Sequence, residues 1–175
     1  MRVSVLVIFR GLPGTGKSTI VRHLVERRPG LMVLSRDVLR SALFPHPTFS
    51  DEEKALVDGL VAAMAGWLTG RGKDVVIDGA ALSSAAGVEQ LVEAAKSRGA
   101  EARVVECVCS QETALARIKA DEGSHLAGDR GEALYFKVKA RFEPVPYPSL
   151  TVDTERGLDP NMEAVLAFLE TGRTA

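Results

Sequence analysis

Cysteine is nearly absent: the 175 residues hold two, Cys107 and Cys109. They form no C-x-x-C pair and no histidine lies beside them, which excludes a disulfide framework and a zinc ribbon. Alternation in RVVECVCS points both to one face of a strand, so packing is their expected role. No apolar tract reaches the roughly 18 residues needed to cross a bilayer, so no membrane span is expected. Charge of one sign is also missing. Lys and Arg number 22 against 23 Asp and Glu, a formal net charge of -1, so no basic field exists to collect nucleic acid non-specifically. A nucleic-acid substrate is not excluded by this, but it needs a local basic patch. Repeats, low-complexity stretches and long linkers are absent too, and 175 residues suit one domain, 1–175. No Asn-Lys pair occurs, so the N-K-x-D base-reading motif of a GTPase switch is lacking. No motif points to a protein partner.

What is present is alternation. Apolar β-rich runs occur at Val3 to Phe9, Leu31 to Leu34, Val75 to Ile77, Arg103 to Val108 and Leu150 to Val152, separated by segments of helical periodicity. Near-continuous apolar strands alternating with helices predict an α/β fold with a mainly parallel sheet covered on both faces. Met1-Arg2 before VSVLVIF has the look of a signal peptide, but the run is short and no small-residue cleavage site follows. A buried strand and a cytoplasmic protein are expected. Ser50 followed by Asp51, Glu52 and Glu53 has the pattern of a capping box opening a helix to about Leu68. The acids there are read as a helix start, not a metal site. Further helices are expected from Ser110 or Gln111 to about Ile118, from Glu132 to Phe142, and, with Pro160 in its first turn, a last one ending before Gly172. The polar stretch KADEGSHLAGDRG, residues 119–131, reads as an inserted lid or a surface loop.

Directly behind the first strand stands RGLPGTGKST. Gly11, Gly16, Lys17 and Ser18 satisfy G-x-x-x-x-G-K-[ST], with a strand before and a helix-compatible run after. In a chain with 16 glycines this pattern arises by chance in roughly one such sequence in a hundred, fewer once its context is required. The glycines let successive N–H groups turn inward toward phosphate oxygens at the positive end of a new helix. ATP or GTP with Mg²⁺ is the implied ligand. Gly11, Gly14, Thr15, Gly16, Lys17, Ser18 and Thr19 are the binding candidates, Lys17 for the β- and γ-phosphates and Ser18 for the metal.

Two further segments place acids at strand ends. In LSRDVLR, Asp37 is positioned to orient and deprotonate a hydroxyl, and Arg40, one helical turn on, to hold an anionic group. In DVVIDGAALSS, Asp78 ends a buried strand and can support Mg²⁺ or the acceptor. Gly79 follows where motor ATPases usually carry a water-activating glutamate, which argues against that class.

Taken together, GLPGTGKST, LSRDVLR, the strand-end Asp78, the ETALARIK helix with its polar insertion, and RFEPVP at 141–146 resemble the small P-loop kinases. The group containing polynucleotide 5′-kinase, chloramphenicol phosphotransferase and zeta-toxin-like enzymes matches best. The resemblance implies a three-layer α/β/α domain with strand order 2-3-1-4-5. It implies transfer of the ATP γ-phosphoryl group, with Mg²⁺, to a hydroxyl of a small molecule or a polynucleotide end. It also implies that Asp37 is the base, that Arg40 contacts the acceptor, and that lid arginines close on the phosphates, with Arg117 at the matching place and Lys119 and Arg130 offered as substitutes for the second. The chain departs from the pattern at Ala80 and Ala81, where a polar residue is usual, and at Asp121, where a second lid arginine is usual. A nucleoside monophosphate kinase would carry an arginine-bearing turn where Ala80, Ala81 and Leu82 stand. That class and a non-catalytic ATP-binding module remain the alternatives. His23, His46 and His125 lack metal-ligand spacing. His46 and Phe49 border the expected acceptor side, though a surface turn is the simpler role for both. Trp67, Tyr135 and Phe136 read as helix packing.

Overall fold

The computed structural model describes residues 2–79, 81–121 and 131–172. Five strands form one parallel sheet: β1 (Val5–Arg10), β2 (Met32–Ser35), β3 (Val75–Asp78), β4 (Glu101–Val108) and β5 (Ser149–Asp153). Their order is β2-β3-β1-β4-β5, as expected, and every pairing is parallel, with Ile8 opposite Ile77 and Val104 at the sheet centre. Strand β1 is buried along its whole length, which is why its sequence shows no polar alternation.

Helices α1 (Lys17–Arg27) and α7 (Leu158–Thr171) cover one face. There Ile20, Leu24, Met162 and Phe168 pack on Val5, Val7, Phe9 and Val105. Helices α3 (Asp51–Thr69) and α4 (Ala85–Lys96) cover the other, where Val57, Val61, Val88 and Leu91 meet Leu6, Ile8, Val75 and Ile77. The alternate residues of β1 thus feed opposite cores, and the result is three layers. Three shorter helices, α2 (Arg36–Leu43), α5 (Gln111–Ala120) and α6 (Glu132–Lys139), surround the strand ends. Among the described residues no helix is long and apolar enough to cross a membrane.

Several boundaries move. Helix α5 continues through Lys119 and Ala120, which the sequence reading gave to the insertion. Helix α6 stops at Lys139, and Arg141 to Pro146 runs to the C-terminal end of the central strand β1. Arg10 stacks on the Phe142 ring at 4.2 Å and donates to the Glu143 carbonyl at 2.7 Å. Residues 122–130, and with them Arg130 and His125, lie outside the described residues.

Cys107 is buried in the α1/α7 core, and burial pushes its thiol up to about 12, the state of an inert packing residue. Cys109 lies past the end of β4 and is half-buried, so the two do not share a strand face. Trp67 is 54% exposed, with Arg71 over its ring at 3.7 Å, and does not pack inward. Tyr135 is buried, whereas its edge-on neighbour Phe136 stays at the surface.

Candidate active site

The loop between β1 and α1 carries the phosphate-loop motif. At Gly14 the backbone has φ +80°, and a Cβ there would stand 2.4 Å from the Ala114 carbonyl oxygen, so α5 closes on the loop only because position 14 has no side chain. Gly16 ends the loop in a left-handed conformation at the start of α1. Lys17 folds back over it, donating to the carbonyls of Gly11 and Leu12 at 2.8 Å each. Thr15 is buried and its hydroxyl donates to the Leu12 carbonyl at 2.8 Å. Gly11 and Thr15 therefore shape the loop from beneath. Gly14, Gly16, Lys17, Ser18 and Thr19 line an open cavity of about 520 Å³ with Arg117, Thr154, Gly157 and Asn161.

Arg117 enters this cavity from α5. Its Nη1 donates to Thr154 Oγ1 at 2.9 Å and to the Gly14 carbonyl at 3.4 Å, tying α5, the phosphate loop and the end of β5 together. Across the same turn, Asn161 Nδ2 donates to the carbonyls of Asp153 and Gly157 at 2.7 Å each and fixes the β5–α7 connection. The Glu155 carboxylate accepts from the hydroxyls of Thr113 and Ser110 and from the Ser110 N–H. These bonds, led by that of Thr113, hold it below the usual carboxylate range.

A second cavity, about 440 Å³, opens on the other side of the loop. Pro13, Asp37, Arg40, Phe49, Leu82 and Val138 line it, and so do Lys17 and Ser18, which belong to both cavities. Ser18 Oγ donates to Asp78 Oδ1 at 3.0 Å, so the two residues proposed for magnesium are neighbours. No cluster of three His, Cys, Asp or Glu occurs among the described residues. None is needed for Mg²⁺ at a nucleotide, which takes one or two protein oxygens with phosphate and water. The hydroxyl and the carboxylate fit that ion.

Asp37 sits in the first turn of α2, which Ser35 caps by accepting from the Val38 N–H. Its carboxylate faces the cavity beside Gly79, whose own side chain is absent. Arg40 is buried, and its Nε lies 3.0 Å from Glu53 Oε1 while Nη1 lies 3.5 Å from Asp37 Oδ1. It is thus held between two carboxylates and lines the cavity beside them.

Glu53 went unnoticed in the sequence except as a helix start. Its second oxygen accepts from the Thr48 N–H at 2.7 Å, the Thr48 hydroxyl at 3.0 Å and the Phe49 N–H at 3.1 Å. Burial pushes this carboxyl up, but the Thr48 and Phe49 donors and Arg40 outweigh it and leave the pKa below its ordinary value of 4.5. The only signal in the sequence was an acid three residues after Ser50. Nothing there tells that it reaches back past the cap to Thr48 and Phe49. Of the pair that borders this side, Phe49 lines the cavity, whereas His46 is exposed and lies off the lining.

The far wall rests on RFEPVP. Glu143 accepts from the Ala85 N–H at 2.7 Å, at the start of α4, and its own N–H donates to the Ser83 carbonyl at 2.8 Å. Residues 141–146 therefore serve to hold the segment 81–85 against the cavity.

Comparison with known proteins agrees with this layout. Over 58 residues the chain is 41% identical to 2′,3′-cyclic-nucleotide 3′-phosphodiesterase of Pongo abelii, a match that spans 33% of this chain and only 14% of that longer protein. The APS kinase CysC of Mycobacterium tuberculosis, solved with AMPPNP and APS, superposes with a TM-score of 0.72 at 20% identity, over 98% of this chain and 100% of that one. Kti12 of Chaetomium thermophilum, solved with ADP-AlF3, gives 0.69 at 20% identity, over 97% and 99%. Both show the fold. A family model described as an AAA domain matches residues 6–145, most of the chain and all of the site except its β5–α7 side, and the chain belongs to that family, with the fold of the P-loop kinases.

Proposed function

We propose that the protein transfers the γ-phosphoryl group of ATP, with Mg²⁺, to a hydroxyl. The observation that carries this reading is that Lys17 and Ser18 line both cavities, while Asp37 lines only the second. A donor in the first cavity and an acceptor in the second then meet at the phosphate-loop lysine. The APS kinase CysC, which shares this fold and was solved in complex with AMPPNP and APS together, supports an arrangement with two ligands.

In this reading the N–H groups of the loop from Gly14 to Ser18 and the start of α1 receive the phosphates. Lys17 exchanges its loop carbonyls for β- and γ-oxygens and follows the charge as it moves. Arg117 holds the nucleotide side. Ser18 and Asp78 would hold magnesium, which neutralises phosphate charge when bound. Asp37 accepts a hydrogen bond from the acceptor hydroxyl, aligns its oxygen with the γ-phosphorus and takes its proton as the new P–O bond forms and the bond from the γ-phosphorus to the β-phosphate oxygen breaks, with ADP as the leaving group. Arg40, anchored by Glu53, fixes that carboxylate. Phosphoryl transfer needs positioning and charge stabilisation above all, and no covalent intermediate is called for.

Two alternatives have less support. A nucleoside monophosphate acceptor is dianionic, and of the arginines that line this cavity Arg36 is paired with Asp58 and Arg40 with Glu53, which leaves Arg141 to meet two charges. A non-catalytic ATP-binding module would not require Asp37 at the mouth of a second cavity. The deciding experiment follows label from [γ-³²P]ATP into a panel of alcohols with magnesium present. Label on an alcohol supports the kinase. ATP binding without transfer to any of them supports the module.

A further inference from the structure

Arg10 ends β1 in alternation with Leu6 and Ile8, which feed the α3/α4 core, so the strand pattern calls for an apolar side chain at this position. A guanidinium stands there instead. It is fully buried and is the largest such side chain among the described residues. Its Nη2 donates to the Glu143 carbonyl at 2.7 Å, and its plane meets the Phe142 ring at 4.2 Å. Nε reaches only an ion pair with Glu106 Oε2 at 3.6 Å, and neither Nε nor Nη1 has a hydrogen-bond partner among the described residues. Burying donors that make no hydrogen bond works against stability, and a local rule broken in this way points to function.

What Arg10 holds is one wall of the acceptor cavity. Glu143 lines that cavity together with Ala81, Leu82, Ser83 and Ser84, whereas Arg10 lines neither cavity. The Glu143 N–H donates to the Ser83 carbonyl at 2.8 Å, and the Glu143 carboxylate accepts from the Ala85 N–H at 2.7 Å. Gly11, which follows Arg10 in the chain, donates from its N–H to the Ala81 carbonyl at 3.1 Å. Two consecutive residues at the exit of β1 thus grip the segment 81–85 at both ends, Gly11 directly and Arg10 through Glu143. The same exit opens the phosphate loop, and Lys17 donates to the Gly11 carbonyl at 2.8 Å. Resting on the kinase reading above, we infer that Arg10 is a positioning residue for transfer: it fixes the acceptor wall in register with the phosphate loop, so that an alcohol seated against 81–85 is presented to the γ-phosphorus. A misplacement of about 1 Å in such a register is enough to cost roughly a hundredfold in rate.

The test is Arg10→Met on the full chain, which keeps a long unbranched side chain in the site and removes the charge and the bond to Glu143. Hydrogen exchange followed by mass spectrometry should quicken roughly tenfold at 81–85 and 141–146, while peptides from β1, β3 and β4 stay as protected as in the wild type. Calorimetric affinity for a non-hydrolysable ATP analogue with magnesium should stay within about twofold. In label transfer from [γ-³²P]ATP to the alcohol that the wild type labels best, kcat/KM for the alcohol should fall roughly thirty- to a hundredfold with the KM for ATP unchanged. Arg10→Lys, which keeps the charge and a donor for the Glu143 carbonyl, should recover part of both the protection and the transfer, and it guards against a folding defect in the methionine variant. Faster exchange throughout the sheet with weakened ATP binding would make Arg10 a residue of the fold alone and overturn the inference. Wild-type exchange at 81–85 would overturn it too. Local loss of protection with unchanged kcat/KM for the alcohol removes the positioning role and leaves the kinase reading standing. A wild type that labels no alcohol removes the kinase reading, whereas the exchange result still decides whether Arg10 holds the wall.

Discussion

The carboxylate of Asp37 occupies the space into which a side chain at Gly79 would grow. A Cβ built on Gly79 would lie 3.1 Å from Asp37 Oδ2 and 3.2 Å from the Asp37 N, in backbone at φ +80°. The strand-end glycine that speaks against a water-activating glutamate thus has a physical purpose: it leaves room for a different acid, delivered from α2. Gly79→Ala is expected to cost about 1–2 kcal/mol from the left-handed backbone alone. By shifting Asp37 it should also lower kcat roughly ten- to a hundredfold. Thermal unfolding and steady-state kinetics on one preparation check both effects.

Lys17→Ala should abolish transfer while leaving the fold intact, since the ammonium is bonded to loop carbonyls at the surface of two cavities and not packed in either core. Circular dichroism, ATP-binding calorimetry and label transfer together check this. Unimpaired transfer by the purified variant would end the phosphate-loop assignment.

Arg117→Ala should raise the KM for ATP roughly tenfold with a smaller effect on the KM of the acceptor. Its bonds run to Thr154 and Gly14, both on the nucleotide side. Equal effects on both substrates would place its role elsewhere.

The pH dependence of stability has a definite sign. Glu155 is held below its ordinary value of 4.5 by Thr113 and then Ser110, and Glu53 ends below it because the Thr48 and Phe49 donors and Arg40 outweigh the upward push of burial. A carboxyl depressed in the folded state contributes stability that is fully present above its unfolded pKa and is lost as pH falls through the folded one. Stability should therefore hold from neutrality to about pH 5 and decline below 4.5. Glu155→Gln should lower the melting temperature at pH 7, and the gap to the wild type should close as the pH is lowered past that window. A gap constant from pH 7 to pH 3 would contradict the linkage.

The sheet was legible because parallel strands buried on both faces leave near-continuous apolar runs, as in VLVIFR, and the phosphate loop because its function fixes glycine, lysine and hydroxyl in one contiguous stretch. Asp37 and Asp78 were legible as acids at strand ends, and Ser35 pairs across to Asp78 in the sheet as that reading requires. What escaped detection depends on contacts between distant segments. The pairing of Arg40 with Glu53 has no trace in the sequence, and Trp67 reads as helix packing until the face it occupies turns outward. Helix α4, to which the sequence reading set no bounds, starts where Ser84 caps it and Glu143 reaches across to its first N–H.

The most direct test of the central claim compares the wild type with Asp37→Asn in single-turnover transfer of label from [γ-³²P]ATP, with magnesium and an alcohol acceptor. Asp37 lines the acceptor cavity alone, so the variant is expected to bind ATP with nearly unchanged affinity and to transfer roughly 10²- to 10⁴-fold more slowly. Transfer at the wild-type rate, or normal transfer with weakened ATP binding, would contradict the placement of Asp37 as the base of a hydroxyl kinase.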